Sequence, residues 1–443
     1  MSMVLGAYRA LSSVIFPLAR RCLERSHPVG FGERCGEYSP EKMDLFGRVP
    51  DGSAVWLHAV SVGEAQAASP FVSYAAEMSP DAALFVSTVT ETGAESAKRL
   101  MGDRMASHIY APWDIPSIVK KSCDAIRPSV YVTVETEVWP NILAELRSRG
   151  VPTCLLNARV SDRTAARARL FRKCLRDAYD LFDLILARGD EDARRIESMG
   201  VDLKKIKLAG DCKIDAIIER HDQIRRSGND PRERLRLGGG TYCFVAGSTH
   251  EGEESVVLDA FRAFKSASGV RDARLVIAPR HPNRASEIAE TTRSFGSAAL
   301  LSELGQGSPE RPDIVIVDEI GILFELYGVA DAAFVGGSMV PRGGQNLLEP
   351  ASWGTPTLHG PHMENFMEPT ERLDAIGASV LVRDSGEMAR EMIRLFGGDG
   401  VSAARRGMDY VAGRSGAARR AWESVNELRM SRRSLRTRAD HGL

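Results

Sequence analysis

The stretch Phe334–Pro350, FVGGSMVPRGGQNLLEP, decides the predicted fold. An apolar strand ends at Gly336-Gly337, a second glycine pair follows at Gly343-Gly344, and Gln345-Asn346 then opens a helix that bears Glu349. Glycine lacks the Cβ that keeps backbone N–H groups away from an anion, and the start of a helix adds free N–H donors. The stretch therefore predicts a strand-to-helix turn that approaches a phosphate. An ordinary turn is the alternative, since isolated glycine pairs are common between strands and helices.

Short apolar runs on both sides of this stretch alternate with amphipathic segments, in two series. The predicted strands of the first series are Ala54–Ala59, Ala83–Ser87, Val130–Val134, Thr153–Leu156, Leu184–Ala187 and Ile206–Leu208. Those of the second series are Tyr242–Ala246, Arg274–Ile277, Ile314–Val317, Ala332–Val335, Thr355–Leu358 and Ala378–Val382. The segments between them are predicted helices, for instance Ile115–Ile126 and Trp139–Arg149. This alternation predicts an α/β fold of two doubly wound, Rossmann-like domains with parallel sheets, and such sheets bind ligands at the carboxyl ends of their strands, in a central cleft.

The length of the chain and one polar segment define the predicted domains. At 443 residues the chain is long for a single hydrophobic core. Residues 220–240 are polar, rich in arginine and end in three glycines, so they are the predicted linker. The predicted organisation is a membrane-associated helix at 1–30, an N-terminal domain at 31–219, the linker at 220–240, a C-terminal domain at 241–415 and a basic tail at 416–443. That tail is either a membrane patch or a solvated helix.

The composition is that of a soluble globular protein, with 43% hydrophobic and 26% charged residues. Lys and Arg number 58 against 59 Asp and Glu, and this balance argues against a dedicated nucleic-acid binder. The seven cysteines are scattered and never spaced C-x-x-C, which favours a reducing compartment over a disulfide framework or a zinc site.

The N-terminal residues form a predicted helix with an apolar stripe. Its apolar residues recur at steps of three and four: Val4, Leu5, Tyr8, Leu11, Ile15, Leu18 and Cys22. Arg9 interrupts this run, and only about ten uncharged residues follow it, against the roughly twenty that a membrane span requires. We expect the helix to lie on a membrane surface. The alternatives are a signal peptide, for which no cleavage site follows, and a helix packed on the domain.

Polar residues follow the predicted strands where each strand ends. They are Glu64, Glu135, Asn157, Ser248, Arg280 and the glycine run after Val335. Glu64 stands in a first helical turn, where a carboxylate in a cleft can serve as a general base, although a helix-starting acid is common there. Glu135 is better placed to face the cleft than Glu137, which can point to solvent; helix capping is the alternative role for this pair.

Three further motifs carry weaker signals. GSTHEGEE at Gly247–Glu254 is typical of an anion-binding helix start, and Arg280-His281 predicts a nucleotide clamp. Asp190-Glu191-Asp192 matches a metal-binding D-x-D pattern but opens a helix, where acids are expected as caps. The basic run Arg159–Arg176 is a solvated helix face by default and a lipid-phosphate contact otherwise.

The motifs SVGE, ETEVWPN, NARVSD, the G-x-x-K of Gly210–Lys213, GSTHEGEE, PRHPNR, GGSMV and GGQNLLEP stand in one order from Leu57 to Phe366. This set resembles the Kdo transferases, which are 3-deoxy-D-manno-octulosonic-acid transferases of lipopolysaccharide assembly. The resemblance implies a GT-B architecture and attachment to the cytoplasmic face of the inner membrane. It also implies transfer of Kdo from CMP-β-Kdo to a lipid A precursor of the lipid IVA type, with inversion and without a metal or other cofactor.

The resemblance also assigns roles to residues. Glu64 matches the general base, and Glu135 and Lys213 match positions that stabilise the transition state. The matches to the CMP-binding segments are Pro279, Arg280, Gly321, Ile322, Leu323, Asn346, Leu347, Leu348 and Glu349.

Three positions depart from the family pattern. Gln345 stands where a histidine is usual, Ile322 replaces a glutamate in DEIGIL, and Asp211 replaces an asparagine before Lys213. These departures affect the expected donor contacts more than the reaction class. Two alternatives remain open: a GT-B transferase of another nucleotide sugar, such as a heptosyltransferase, and a membrane-associated binding protein on a transferase scaffold. The sequence predicts no nucleic-acid partner and makes no prediction of self-association.

Overall fold

The computed structural model describes residues 3–160, 172–304 and 311–440. The chain divides into two compact units. Unit 1 contains Met1–Ala216 and Ser415–Leu443, and unit 2 contains Ile217–Arg414. Each unit is built on one parallel sheet of seven strands.

The sheet of unit 1 has the strand order β3-β2-β1-β4-β5-β6-β7. Its strands are β1 Ala54–His58, β2 Ala83–Thr88, β3 Ser107–Tyr110, β4 Val130–Val134, β5 Thr153–Ala158, β6 Leu184–Ala187 and β7 Ile206–Leu208. All neighbours are parallel, and β1 lies between β2 and β4, with Trp56 opposite Phe85 on one side and Tyr131 on the other. The strand order therefore changes direction between β1 and β4, and doubly wound folds bind ligands at such a switch point.

The sheet of unit 2 has the order β10-β11-β9-β8-β12-β13-β14. Its strands are β8 Tyr242–Thr249, β9 Ala273–Pro279, β10 Ala298–Leu300, β11 Ile314–Ile316, β12 Ala332–Val335, β13 Thr357–His359 and β14 Ser379–Leu381. Here the first strand, β8, lies between β9 and β12 in the centre of the sheet. The glycine stretch quoted above thus leaves the sheet beside β8.

The helices cover both faces of each sheet. In unit 1 they are α1 Met3–Ser26, α2 Phe31–Arg34, α3 Pro40–Arg48, α4 Val62–Met78, α5 Glu91–Met101, α6 Pro116–Ile126, α7 Pro140–Ser148, α8 Arg172–Tyr179 and α9 Asp190–Ser198. Helix α10, Cys212–Ser227, contains the boundary between the units. Unit 2 contains α11 Pro231–Arg234, α12 Glu253–Ser268, α13 Ala285–Thr292, α14 Leu323–Tyr327, α15 Leu348–Ser352, α16 Met367–Ala375, α17 Ser385–Arg394 and α18 Gly400–Ala412. Helix α19, Ala417–Asp440, returns to unit 1.

Alternate residues of each central strand supply two hydrophobic layers, one on each face of the sheet. In β1, Val55 and Leu57 pack into the layer beneath α4, whereas Ala54 and Trp56 pack into the opposite layer. Unit 2 has the same two-layer construction around β8. Every residue of β1 and β4 is buried, as expected for parallel strands covered on both faces.

The twelve predicted strands are all present, and the predicted α/β class is confirmed. The sequence prediction missed β3 and β10, which lie at one edge of the two sheets. Both are short, with three or four residues, and none of the residues of β10 is fully buried. An edge strand is covered less than a central one, so its sequence carries a weaker apolar run.

The predicted tail differs in the structure, because α19 packs into the core of unit 1. Trp422 is buried and meets Phe71 edge to face, with ring centroids 5.5 Å apart. Asp215 fixes the start of this helix, since its carboxylate accepts from the N–H groups of Gly416 and Ala418 at 2.7 and 2.6 Å. The sequence prediction missed this packing because the apolar residues of the helix stand between arginines; they are Ala417, Ala418, Ala421, Trp422 and Val425.

The predicted linker is largely helical, and the N-terminal helix has exposed apolar residues. Residues 220–240 contain the second half of α10 and the whole of α11, so much of this segment is helical. Helix α1 exposes Leu11, Val14, Ile15 and Leu18, the last of them to 83%. Among the helices of the described residues, none is both long and apolar enough to cross a membrane. Most of the predicted basic run, residues 161–171, lies outside the described residues.

Candidate active site

Glu64 is held in the first turn of α4, just after β1. Its side chain is only 8% exposed, and the carboxylate accepts a hydrogen bond from the N–H of Val60. Burial raises the pKa of the Glu64 carboxyl to about 7, and the negative charges of Glu137 and Glu135 act in the same direction. A carboxyl group whose pKa lies near neutral pH is able to accept and release a proton there.

Glu135 and Lys213, predicted separately from the sequence, form an ion pair. The Lys213 Nζ lies 2.6 Å from the Glu135 Oε1. Glu135 follows β4 directly and has a left-handed backbone, φ +60°, which a residue with a Cβ rarely adopts. Its N–H donates to the Leu156 carbonyl of β5 at 2.8 Å, so the sheet holds this conformation. Unfavourable backbone conformations held in this way are frequent at functional sites.

Glu137 was predicted to be able to point to solvent, but it lies near Glu64. Its side chain is partly buried, and burial raises the pKa of its carboxyl. Among the charges that raise the pKa of Glu64, that of Glu137 has the largest effect. The spacing of two glutamates around Thr136, immediately after a buried strand, is the sequence signal that could have identified this role.

Asn157 links the end of β5 to the start of α10. Its backbone is also left-handed, φ +55°, and its Oδ1 accepts from the N–H of Cys212 at 2.9 Å. The Asp211 Oδ1 accepts from the N–H of Lys213, also at 2.9 Å. The departure at Asp211 therefore keeps a hydrogen-bond acceptor at the helix start that carries Lys213.

Asp192 of the D-x-D motif and the intervening Glu191 are engaged inside unit 1. Asp192 accepts from the N–H of Val160 at 2.9 Å and pairs with Arg188 at 2.8 Å. Glu191 pairs with Arg195 across one turn of α9. These contacts agree with the structural role that we expected for the motif.

In unit 2 the first glycine pair binds a carboxylate of the protein itself. The buried Glu253 accepts from the N–H groups of Gly337, Ser338 and Met339 at 2.7–2.9 Å, and from that of His250 at 2.8 Å. Because Glu253 occupies these amides, this part of the stretch does not offer the free N–H donors that the sequence predicted for a phosphate. The role of Glu253 depends on contact between segments 84 residues apart and was missed from the sequence.

The second glycine pair folds the loop back on itself. Gly343 and Gly344 both have positive φ, and the N–H of Gly344 donates to the Gly337 carbonyl at 2.8 Å. A Cβ on Gly344 would lie 2.3 Å from the Met363 Sδ, so only glycine fits here without displacement. The helix α15 begins after Asn346, later than predicted, and the Asn346 Oδ1 accepts from the N–H of Leu348 at 3.1 Å.

Cationic side chains surround this loop. Arg280 follows β9 and is exposed, while its N–H donates to the Thr249 carbonyl at 2.9 Å. Burial lowers the pKa of the nearby His250, and the positive charges of Arg342, His281 and Arg280 lower it further, against Glu253. Arg280 and Arg342 thus lie near His250, and guanidinium groups suit an anionic ligand.

Arg220 interacts with two of the predicted nucleotide-binding residues, Gly321 and Glu349. Its Nη2 donates to the Gly321 carbonyl at 2.9 Å, and its charge lowers the pKa of Glu349, against a larger rise from burial. A hydrogen bond from Asn346 lowers the pKa of Glu349 in the same direction. Arg220 was assigned to the linker from the sequence, so this grouping was not predicted.

The remaining predicted residues support the site from within unit 2. Pro279 ends β9, and Leu323 begins α14. The side chains of Ile322, Leu347 and Leu348 are buried in the core, so only their backbone groups are available to a ligand. The departure at Ile322 is therefore a packing residue in this chain.

Comparisons with known proteins point to one family. The family described as 3-Deoxy-D-manno-octulosonic-acid transferase (kdotransferase) matches residues 30–216. The chain is 30% identical over 417 residues to a 3-deoxy-D-manno-octulosonic acid transferase of Bordetella pertussis, covering 90% of this chain and 91% of that protein. It is also 30% identical over 330 residues to the Haemophilus influenzae transferase, covering 74% and 76% of the two chains.

A solved structure shares the fold at low sequence identity. The UDP-GlcNAc 2-epimerase of Neisseria meningitidis, bound to UDP-GlcNAc, is similar with a TM-score of 0.60 at 12% identity. The match covers 84% of this chain and 100% of that structure. Together with two parallel seven-stranded sheets, this likeness confirms the predicted GT-B fold class.

Proposed function

Since the chain belongs to the 3-deoxy-D-manno-octulosonic-acid (Kdo) transferases of lipopolysaccharide biosynthesis, we propose that it moves Kdo from CMP-Kdo to a lipid A precursor of the lipid IVA type. The observation that carries the proposal is Glu64, a buried carboxylate whose pKa is raised to about 7. A base whose pKa lies near the working pH is ionised in part of the molecules and accepts protons efficiently. Glu64 is the proposed general base.

The proposed reaction is a direct displacement with inversion. The acceptor hydroxyl oxygen forms a bond to the anomeric carbon of Kdo, while the bond from that carbon to the phosphate oxygen of CMP breaks. Glu64 takes the hydroxyl proton, and CMP leaves as a phosphate monoester. Inverting glycosidases activate water by a carboxylate base in the same way, with water in the place of the acceptor.

Glu135 and Lys213 are proposed to stabilise the charges of the sugar during the reaction. A carboxylate stabilises positive charge at the anomeric carbon, and an ammonium group stabilises a sugar carboxylate such as that of Kdo. Their 2.6 Å contact keeps both groups oriented before the substrate binds. Preorganised charges of this kind cost no rearrangement during the reaction.

The CMP half of the donor is assigned to unit 2. Arg280 and the backbone of Gly321–Leu323 and Asn346–Leu348 are proposed contacts, with Glu349 as a hydrogen-bond acceptor for a hydroxyl group. Since Glu253 occupies the amides of Gly337, Ser338 and Met339, the phosphate is assigned to cationic side chains such as Arg280. The proposed reaction uses no metal ion.

Helix α1 supports attachment to the cytoplasmic face of the inner membrane. It exposes Leu11, Val14, Ile15 and Leu18, and Arg20, Arg21 and Arg25 are exposed near its end. Apolar residues beside arginines are typical of helices that lie in the interface of an anionic membrane. Replacing Leu11, Ile15 and Leu18 by serine should release the protein from vesicles that contain phosphatidylglycerol, as measured by co-sedimentation; unchanged sedimentation would contradict this attachment.

The proposed activity is tested by incubation with CMP-Kdo, generated in situ, and a tetraacyl lipid A precursor, followed by mass spectrometry of the lipid. We expect lipid whose mass has risen by one or more Kdo residues. Glu64→Gln, assayed beside the wild-type chain, should give almost no product while still binding CMP. Transfer from another nucleotide sugar but not from CMP-Kdo would overturn the proposed donor.

A further inference from the structure

Asp114 connects the N-terminal helix to the segment that carries Glu135 and Glu137. It lies in the loop after β3 and is only 6% exposed. Its Oδ2 accepts from the Tyr8 hydroxyl at 3.0 Å and from the N–H of Asn141, also at 3.0 Å. Its Oδ1 accepts from the N–H of Ile142 at 2.8 Å. One buried carboxylate thus binds α1 and the first turn of α7 together.

A second contact joins the same two helices. The Asn141 Nδ2 donates to the Ser12 Oγ at 3.2 Å and to the main-chain carbonyl of Asp114. Tyr8 and Ser12 are four residues apart, so they lie on the same face of α1. Leu11, Ile15 and Leu18 belong to the same stripe of the helix as Tyr8 and are exposed. Helix α1 therefore contacts unit 1 through the polar atoms of Tyr8 and Ser12 and leaves neighbouring apolar side chains open to its surroundings.

The fixed end of α7 is close in sequence to the acidic segment. Only three residues separate Glu137 from Asn141, and Pro140 starts the helix between them. A proline restricts both its own backbone and that of the preceding residue. A shift of Asn141 would therefore be carried back to Glu137 and Glu135 through a short, stiff connection.

We propose that Tyr8, Asp114 and Asn141 are positioning residues, through which α1 orients the Glu135–Glu137 segment for the reaction. The proposal rests on the proposed function, because it is that function that assigns Glu135 to the reacting sugar and Glu64, whose pKa Glu137 affects, to the general base. In this account α1 does more than attach the protein to a membrane. Its docking on Asp114 also sets the geometry of Glu135 and Glu137, the two carboxylates whose charges act on Glu64.

The test uses the full chain with Tyr8→Phe and Ser12→Ala combined, which removes the two hydrogen bonds described above and leaves the exposed apolar residues of α1 unchanged. Ser13→Ala is the matched control, because the Ser13 hydroxyl donates only to the Arg9 carbonyl of the same helix in the described contacts. Each protein is assayed with the acceptor in vesicles and with the acceptor dispersed in detergent. Vesicle binding, the KM for CMP-Kdo and hydrogen exchange of residues 135–142 are measured alongside.

We expect the double variant to bind vesicles like the wild-type chain and to keep its KM for CMP-Kdo. Its kcat should fall about tenfold with both forms of the acceptor, since small misplacements of catalytic groups have effects of this size or larger. Exchange of residues 135–142 should be faster than in the Ser13→Ala control. A wild-type kcat together with unchanged exchange would overturn the proposal.

A kcat that is low in vesicles but restored in detergent would also overturn it, because α1 would then serve only as an attachment. If the wild-type chain transferred no Kdo, the proposed function would fail instead. Hydrogen exchange of residues 135–142 would still decide whether α1 orders this segment.

Discussion

Glu64 and Glu253 occupy corresponding places in the two units but have opposite surroundings. Each lies in the first turn of the helix that follows the first strand of its sheet. Glu253 accepts four backbone hydrogen bonds within 2.9 Å. Glu64 is buried near two other carboxylates, and backbone N–H groups of Val60 and Ser61 only partly oppose the rise of its pKa.

The difference shows how one position in a doubly wound fold serves two purposes. A buried carboxylate that accepts four backbone hydrogen bonds holds the surrounding loop in place. A buried carboxylate near like charges is unstable in its charged form, so it takes up a proton readily. The donors and charges around the carboxylate, rather than its place in the fold, decide whether it is structural or reactive.

The largest expected effect is that of Glu64→Gln on the reaction. Because the variant has no proton acceptor, kcat for Kdo transfer should fall by a factor of about 10²–10⁴. The measurement is the initial rate at saturating CMP-Kdo, with CMP affinity by calorimetry as a check on the fold. A rate within threefold of wild type, at about pH 7.5, would contradict the proposal that Glu64 acts in the reaction whereas Glu253 is structural.

Glu253→Gln should act on stability instead. The amide nitrogen would face backbone donors, and each buried N–H left without an acceptor costs about 1–3 kcal/mol. We expect unit 2 to lose about 3 kcal/mol in its free energy of unfolding, measured by urea denaturation. Glu251→Gln, at an exposed position in the same segment, is the matched control and should have no effect. Equal stability of the two variants would mean that the four hydrogen bonds are not needed.

Removing the charge of Glu137 should lower the pKa of Glu64. In Glu137→Gln the carboxylate with the largest effect on Glu64 is gone, so the pKa of Glu64 falls from about 7 toward its ordinary value of 4.5. The midpoint of the rise of kcat/KM with pH should move to lower pH. Thr136→Ser, between the two glutamates, is a control that keeps the charges. An unmoved midpoint would remove Glu137 from the site.

The raised pKa of Glu64 also has a consequence for stability. The folded state binds the Glu64 proton more tightly than the unfolded state, so the group's contribution to stability is complete below pH 4.5 and is lost as pH rises through about 7. Glu64→Gln should therefore melt at a higher temperature than wild type at pH 8.5, by about 2–4 °C, and at the same temperature at pH 4. A lower melting temperature at pH 8.5 would contradict the assigned electrostatics.

The smallest expected effect concerns Gln345, which stands where the family pattern has histidine. It is partly buried within the second glycine loop, and both side chains can form hydrogen bonds. We expect Gln345→His to bind CMP-Kdo with an affinity within about twofold of wild type at pH 8, with a gain only below pH 6.5, where histidine becomes charged. A large loss at pH 8 would show that the amide makes a specific contact.

The central strands and the acidic edge of unit 1 follow from the sequence, and the long-range contacts do not. Continuous apolar runs such as Val130–Val134 identify buried parallel strands, whereas β10 has too little burial to leave such a run. Glu64 and Glu135 were candidates because each lies shortly after the end of a strand, and the family resemblance implied their roles.

The role of Glu253 and the place of Arg220 depend on backbone groups far away in the chain, at Gly337 and Gly321. No local pattern encodes these partners. The same holds for Trp422, whose place in the core of unit 1 depends on a helix that returns after the whole of unit 2.

The central claim, that Glu64 is the general base, is tested most directly by the pH dependence of kcat/KM for Kdo transfer. Glu64 must be ionised to accept the hydroxyl proton. The logarithm of kcat/KM of the wild-type chain should therefore rise with pH with a slope of one and level off above a midpoint near pH 7. The residual activity of Glu64→Gln should lack this rise. A wild-type profile that is flat from pH 5 to pH 8, or an equal rise in Glu64→Gln, would contradict the claim.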